Sequence, residues 1–160
     1  MVTTFVVVPG VARQYIQRMS PIPALAIADL VLLVAAASLG LASLLGWLRH
    51  PEAAFPTAKA VTHLALQLVA IAVWVAFVVS GAVAAAWAAF VIITLGQVLG
   101  DLLMFASYRA RRPGVAQPGY LAVGGDVLSF RRPVPAMHAL VGALAWFGML
   151  AICIAATVIG

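Results

Sequence analysis

The segment from Ala60 to Gly100 constrains the fold more than any other part of this chain, because it contains no Asp, Glu, Lys or Arg. As a single helix it would be about 61 Å long, roughly twice the thickness of the hydrocarbon core of a bilayer. An uncharged segment of this length must therefore turn back and cross the core twice. Ser80 and Gly81 predict the position of the turn, since glycine adopts backbone conformations that other residues avoid.

Composition places the rest of the chain in the same environment. Of the 160 residues, 66% are hydrophobic and 8% are charged. Soluble domains carry about 25% charged residues. Segments long enough to span a membrane lie at about 24–48, 60–80, 84–108 and 134–159. The predicted fold class is therefore an all-α integral membrane protein, a single transmembrane domain over residues 1–160 with four transmembrane helices in an up-and-down bundle.

Two segments outside the spans lead to predictions of their own. Arg and Gln alternate with apolar residues over Val11–Met19, which indicates a short interfacial N-terminal helix. The loop 109–133 is basic at both ends. Within it, Gly119–Phe130 alternates weakly around Gly124-Gly125-Asp126, a pattern that predicts a β-hairpin.

Basic residues predict the orientation, because cytoplasmic loops of membrane proteins carry an excess of Lys and Arg. The first and third loops hold Arg49, Lys59, Arg109, Arg111, Arg112, Arg131 and Arg132, whereas the other side holds only Arg13 and Arg18. We therefore expect both termini outside, in a bacterial plasma membrane. The five Arg residues of the third loop are expected to contact lipid headgroups. Nucleic-acid binding is not expected, since these Arg residues flank membrane spans and no aromatic-basic platform accompanies them.

Five polar residues interrupt the apolar spans, and a polar side chain inside a bilayer needs a partner or a function. They are His63, Gln67, Gln97, Asp101 and His138. His63 and His138 lie about one turn inside the starts of two spans that run in the same direction. Asp101 lies about two turns before the end of the antiparallel span between them. All five are therefore predicted to share one half of the membrane, near loops one and three.

The spans that contain the two His residues share a further pattern. In each, the His near the start is followed by a Trp, His63 by Trp74 and His138 by Trp146. The two spacings differ, so the pattern by itself does not establish an internal duplication.

Three interpretations of the five polar residues stay open. They can hydrogen-bond one another and fix the helix register. His63 and His138 can instead be the axial ligands of a b-type haem, since two His residues at similar depth on parallel spans are what such a haem requires. Asp101 with His63 or His138 can form a proton or ion site. No separate metal-ion site is predicted, because the possible ligands lack a tight local spacing.

Two further residues in the spans have simpler interpretations. Asp29 lies near the start of the first span, in the other half of the membrane, where it is expected to reach the interface and to pair with Arg13 or Arg18. Cys153, the single cysteine, is expected to be a small packing residue.

The sequence contains no Ser-His-Asp order, P-loop, HExxH or CxxC motif, so an enzyme acting alone is not expected. Because almost no mass lies outside the membrane, the favoured function is an accessory or scaffolding subunit of a larger membrane complex, with the bilayer and other membrane subunits as partners. The alternatives are a b-type haem-binding redox subunit using His63 and His138, and a proton- or ion-translocating component using Asp101.

Overall fold

The computed structural model describes residues 21–49, 56–115 and 117–159, which are helical apart from short connections. The helices are α1 (Ile22–Leu48), α2 (Thr57–Ser80), α3 (Val83–Arg111), α4 (Tyr120–Leu128) and α5 (Pro133–Ile159). All but α4 are long and apolar enough to cross a membrane, and the predicted bounds of these four helices are confirmed to within three residues at each end. The predicted interfacial helix over 11–19 lies outside the described residues.

The turn between α2 and α3 lies at Gly81, the position predicted within the uncharged segment Ala60–Gly100. Gly81 has φ 69°, a left-handed conformation, and its N–H donates to the carbonyl of Phe77 over 2.7 Å. Glycine adopts this conformation without a steric cost, so α2 ends there and α3 begins two residues later.

The four long helices form a square in the order α1, α2, α3, α5. The most extensive contacts join α2 to α3 and α1 to α5, with smaller contacts between α1 and α2 and between α3 and α5. The helices on each diagonal do not touch through their backbones. Because successive long helices run in opposite directions, α2 and α5 are parallel and lie on one diagonal.

One half of the bundle, which contains the α2–α3 turn and is called the turn-side half below, is closely packed. Trp74 is fully buried there, and its Nε1 donates to the carbonyl oxygen of Ala26 over 3.1 Å. Met149 and Cys153 are also fully buried beside it. Alanines on all four helices complete this core and allow the backbones to approach closely.

Asp29 lies in this packed half, away from the five polar residues as predicted, but it is enclosed between the helices, so the expectation that it reaches the interface is wrong. It is 3% exposed, and a Cβ added to Gly148 of α5 would collide with its carboxyl group. Neither carboxyl oxygen has a hydrogen-bond partner among the described residues, which do not include Arg13 and Arg18. The reason is that Asp29 lies about 10 Å along α1 from its start, beyond the first turns from which a short side chain reaches the surface.

The predicted β-hairpin is also wrong, because residues 120–128 form the helix α4. Val123 and Val127 are four residues apart and both are buried, so they lie on one helical face that packs against the ends of α3 and α5. An isolated hairpin is only marginally stable, whereas the helix gains its stability by burying both Val side chains against the bundle. The half of the bundle that α4 covers is called the loop-side half.

Candidate functional site

All five predicted polar residues line one cavity in the loop-side half. The cavity has a volume of about 340 Å³ and is lined by His63, Gln67, Gln97, Asp101 and His138 together with apolar residues of all four long helices. A volume of this size lies at the lower end of the range for small-molecule and cofactor sites. The sequence had not identified the wall supplied by α1, which contributes Gly40, Ser43 and Trp47.

His63 is fixed against α3. Its Nδ1 lies 2.8 Å from the backbone carbonyl oxygen of Gly96, and since a carbonyl only accepts, Nδ1 carries the proton. Gly100, one turn further along α3, makes this contact possible, because a Cβ there would lie 3.2 Å from Cε1 of the imidazole. The ring therefore lies directly on the backbone of α3.

His138 is fixed against α1 in the same manner. Its Nδ1 donates to the carbonyl oxygen of Ala36 over 2.8 Å. Gly40, again one turn further along the helix, leaves the space for the ring, since a Cβ there would lie 2.8 Å from Cε1 of His138.

These two arrangements are related by an approximate two-fold axis that exchanges α1 with α3 and α2 with α5. The two Trp bonds join the same pairs of helices but at different depths, because Trp146 donates to Oγ1 of Thr94 on α3 and Trp74 to the carbonyl oxygen of Ala26 on α1. The His residues of the pattern that the sequence shows in two spans thus occupy equivalent positions in the bundle, whereas the two Trp residues do not.

The two imidazoles meet across the centre of the bundle. Their ring centroids are 6.3 Å apart and their planes are nearly perpendicular, at 86°. Because each Nδ1 is bonded to a carbonyl, each Nε2 keeps its lone pair, and neither Nε2 has a hydrogen-bond partner among the described residues. A His whose Nδ1–H donates to a carbonyl is the usual form of a metal-ligating imidazole.

The other three polar residues line the cavity without forming a network. No hydrogen bond joins Gln67, Gln97 or Asp101 to either imidazole in the part of the chain that the structure describes. Asp101 is exposed on the side of α3. The structure therefore brings these residues together around a space instead of bonding them to one another.

Charged residues lie at the mouth of the cavity, under α4. Asp126 accepts bonds from Arg111 at 2.6 Å, from Arg112 at 3.1 Å and from Arg132 at 3.4 Å, and only Arg132 of the three lines the cavity. Burial alone would raise the pKa of Asp126, but the hydrogen bond and charge of Arg111, with the charges of Arg132 and Arg112, hold it below its usual range. Arg109 and Arg131, the other two predicted headgroup contacts, are exposed.

Within the described residues, no group of three or more His, Cys, Asp or Glu side chains could hold a metal ion. Two imidazoles alone bind a bare ion poorly, because structural and catalytic metal sites use three or four protein ligands. A metal centre between His63 and His138 would therefore need a prosthetic group that supplies its remaining ligands.

Comparison with known proteins gives no independent indication, since no family model, no curated protein and no solved structure matches this chain. The chemistry of the cavity must therefore be inferred from the residues that line it.

Proposed function

We propose that this chain is a b-type haem-binding membrane protein in which His63 and His138 are the axial ligands. The observation that carries the proposal is the imidazole pair, fixed from both sides at a centroid separation of 6.3 Å. Two imidazoles on one iron place their centroids about 6 Å apart, since each metal–nitrogen bond is about 2.0 Å and the ring nitrogen lies about 1.1 Å from its centroid.

The lining of the cavity supports the same proposal. Leu41, Leu44, Leu64, Leu103 and Met104 give it largely apolar walls. Alanines between them keep it wide. A porphyrin supplies four nitrogen ligands, which resolves the shortage of protein ligands at this position. The lone pairs on the two Nε2 atoms, which have no hydrogen-bond partner among the described residues, would then bind the iron.

Two axial His ligands determine what such a centre does. A haem held by both His63 and His138 would supply one-electron transfer and would keep no open position for a substrate. The bonds to Gly96 and Ala36 hold the imidazoles in one orientation and raise their basicity as ligands.

A one-electron carrier without a catalytic site of its own needs a donor and an acceptor. We therefore retain the proposal that the chain is a subunit of a larger membrane complex, with other membrane proteins as partners. Purification in mild detergent as a monomer that no other protein accompanies would count against this part of the proposal.

For localisation we propose a bacterial plasma membrane, with the loop-side half facing the cytoplasm because the basic residues are concentrated there. A reporter that is active only outside the cell, fused to the C-terminus, should then be active. Activity of a cytoplasmic reporter at the same position would reverse the orientation.

The proton-site alternative has less support, because Asp101 is exposed and does not bond to either His among the described residues. The interpretation that the polar residues bond one another is weakened for the same reason, since both imidazoles bond to backbone carbonyls.

The proposal is tested by the absorption spectrum of protein purified from cells with ample haem. Reduction with dithionite should produce the α and Soret bands of a b-type haem, and His63→Ala and His138→Ala should each abolish them. His50→Ala is the matched control, because it removes the third His of the chain and should leave the bands intact.

Imidazole rescue separates ligand loss from misfolding. Added imidazole should restore the bands to His63→Ala and His138→Ala if the bundle is intact. A folded wild-type protein that shows no haem bands after incubation with haemin would overturn the proposal.

A further inference from the structure

We propose that Arg132, together with Ser107, binds a carboxylate of the ligand that occupies the cavity, and so fixes its anionic edge at the mouth under α4. With haem as the ligand, this carboxylate is a propionate. The inference rests on the proposed function, and it adds the direction in which the ligand is inserted and the residue that recognises its charge.

The cavity has two chemically different ends. Its inner part, around the imidazole pair, is apolar apart from the amides of Gln67 and Gln97 and the carboxyl group of Asp101. Its outer part is lined by Ser107 and by Arg132, the single cationic side chain on its wall within the described residues. A ligand that fits both ends has an apolar body and an anionic edge. Haem has this form, because its two propionates project from one edge of the macrocycle.

The distances along the helices agree with this placement. Arg132 precedes His138 by six residues and Ser107 follows Gly100 by seven, so both lie about 9–10 Å closer to the loop than the imidazole pair at 1.5 Å per residue. Nη1 of Arg132 lies 3.4 Å from Oγ of Ser107. The radius of a macrocycle and one propionate arm together cover a separation of this size.

The charge balance at the mouth provides the driving force. Three guanidinium groups share the single carboxylate of Asp126, so the cluster carries excess positive charge. Arg132 makes the longest of the three contacts, and burial together with repulsion from Arg111 lowers its pKa. A second carboxylate would remove this repulsion, and a guanidinium binds a carboxylate with two parallel hydrogen bonds.

Arg111 and Arg112 keep α4 in place while Arg132 binds the ligand. Their contacts with Asp126 are the shorter ones, at 2.6 and 3.1 Å, and neither side chain lines the cavity. Replacement of Arg132 should therefore change ligand recognition more than it changes the position of α4.

The test is a titration of the haem-free protein, in uncharged detergent, with haemin and with haemin dimethyl ester, whose propionates are uncharged. Wild-type protein should bind haemin at least tenfold more tightly than the ester. Arg132→Gln should lose most of this preference through weaker binding of haemin, while its affinity for the ester stays nearly unchanged. Arg109→Gln is the matched control, because it removes an exposed Arg from the loop-side end of α3 and should keep the preference.

The possible outcomes distinguish a failure of the Arg132 inference from a failure of the proposal that the chain binds haem. If the wild type binds both compounds equally, or if Arg132→Gln retains the preference, the inference about Arg132 is wrong while haem binding stands. If the wild type binds neither, both proposals fail. Should Arg132→Gln not fold, Arg132→Lys keeps the charge without the bidentate geometry and should show an intermediate preference.

Discussion

The two halves of the bundle are built from the same four helices, yet they treat polar groups in opposite ways. In the loop-side half, glycines leave room for the two imidazoles to pack directly against the backbones of neighbouring helices, and a cavity of about 340 Å³ remains between the helices. In the turn-side half, Trp74, Met149 and Cys153 fill the space, and Asp29 is enclosed without a hydrogen-bond partner among the described residues. Small residues thus create an accessible site in one half and close packing in the other.

This difference shows that a stripe of small residues does not by itself indicate a binding site. What distinguishes the halves is the size of the side chains opposite the small residues. Opposite Ala26, Trp74 reaches across the bundle to bond with the backbone. Opposite Gly40 and Gly100, the smaller imidazoles lie on the backbones of α1 and α3, and a cavity remains beside them.

The largest effect is expected from Trp74→Ala in the packed half. It should reduce the free energy of unfolding by about 3–5 kcal/mol, because it empties a fully buried volume and removes the bond to Ala26. The control is Leu64→Ala, which enlarges a cavity that already exists and should cost about 1 kcal/mol. Unfolding of both variants in mixed micelles measures the difference, and equal losses would mean that the halves are packed alike.

The same substitution made in each half should have different consequences. Gly148→Ala forces a methyl group against Asp29, which is enclosed and cannot move away, so it should cost about 1–3 kcal/mol in unfolding free energy. Gly40→Ala pushes against the end of the His138 side chain, which can rotate into the cavity. It should leave stability nearly unchanged and weaken haem binding about tenfold or more.

Thermal stability and haem titration of both glycine variants test this contrast. The comparison breaks down if Gly40→Ala destabilises the protein as much as Gly148→Ala does, or if Gly148→Ala lowers haem affinity without lowering stability.

The smallest effect is expected at α4, the helix that covers the loop-side half. Asp126→Asn removes the carboxylate shared by three Arg residues and should loosen α4 by about 1 kcal/mol, since the cluster is close to the surface. Hydrogen exchange at Val123 and Val127 measures this, and unchanged exchange rates would show that the two Val side chains alone hold α4 in place.

The contribution of Asp126 also depends on pH in a defined direction. The pKa of Asp126 is lower in the folded protein than its ordinary value of about 3.9. Its stabilisation is therefore complete above that ordinary value and is lost as the pH falls through the lower folded value. Asp126→Asn should lack this acid-dependent loosening of α4.

Local patterns were enough to predict the four spans, because a span is defined by its own length and hydropathy and the turn at Gly81 by its own backbone conformation. The same patterns failed at residues 120–128. There the weak alternation around two glycines is compatible with either a strand or a helix, and the contacts of Val123 and Val127 with the bundle decide between them. The enclosure of Asp29 was missed for a related reason, since it depends on its depth along α1 together with the packing of α5 against that helix.

By itself, the sequence determined that the chain consists of apolar helices of membrane-spanning length. It also determined that the five polar residues belong near one end of the bundle. The reason is that the rise per residue and the number of residues per turn of an α-helix convert residue numbers into a depth along the helix and a position around it. The tertiary structure alone decided which carbonyl each imidazole meets, that the rings are separated by 6.3 Å, and that α1 completes the cavity with Gly40. These are distances between helices, and they depend on how closely small residues let two backbones approach, which no single helix encodes.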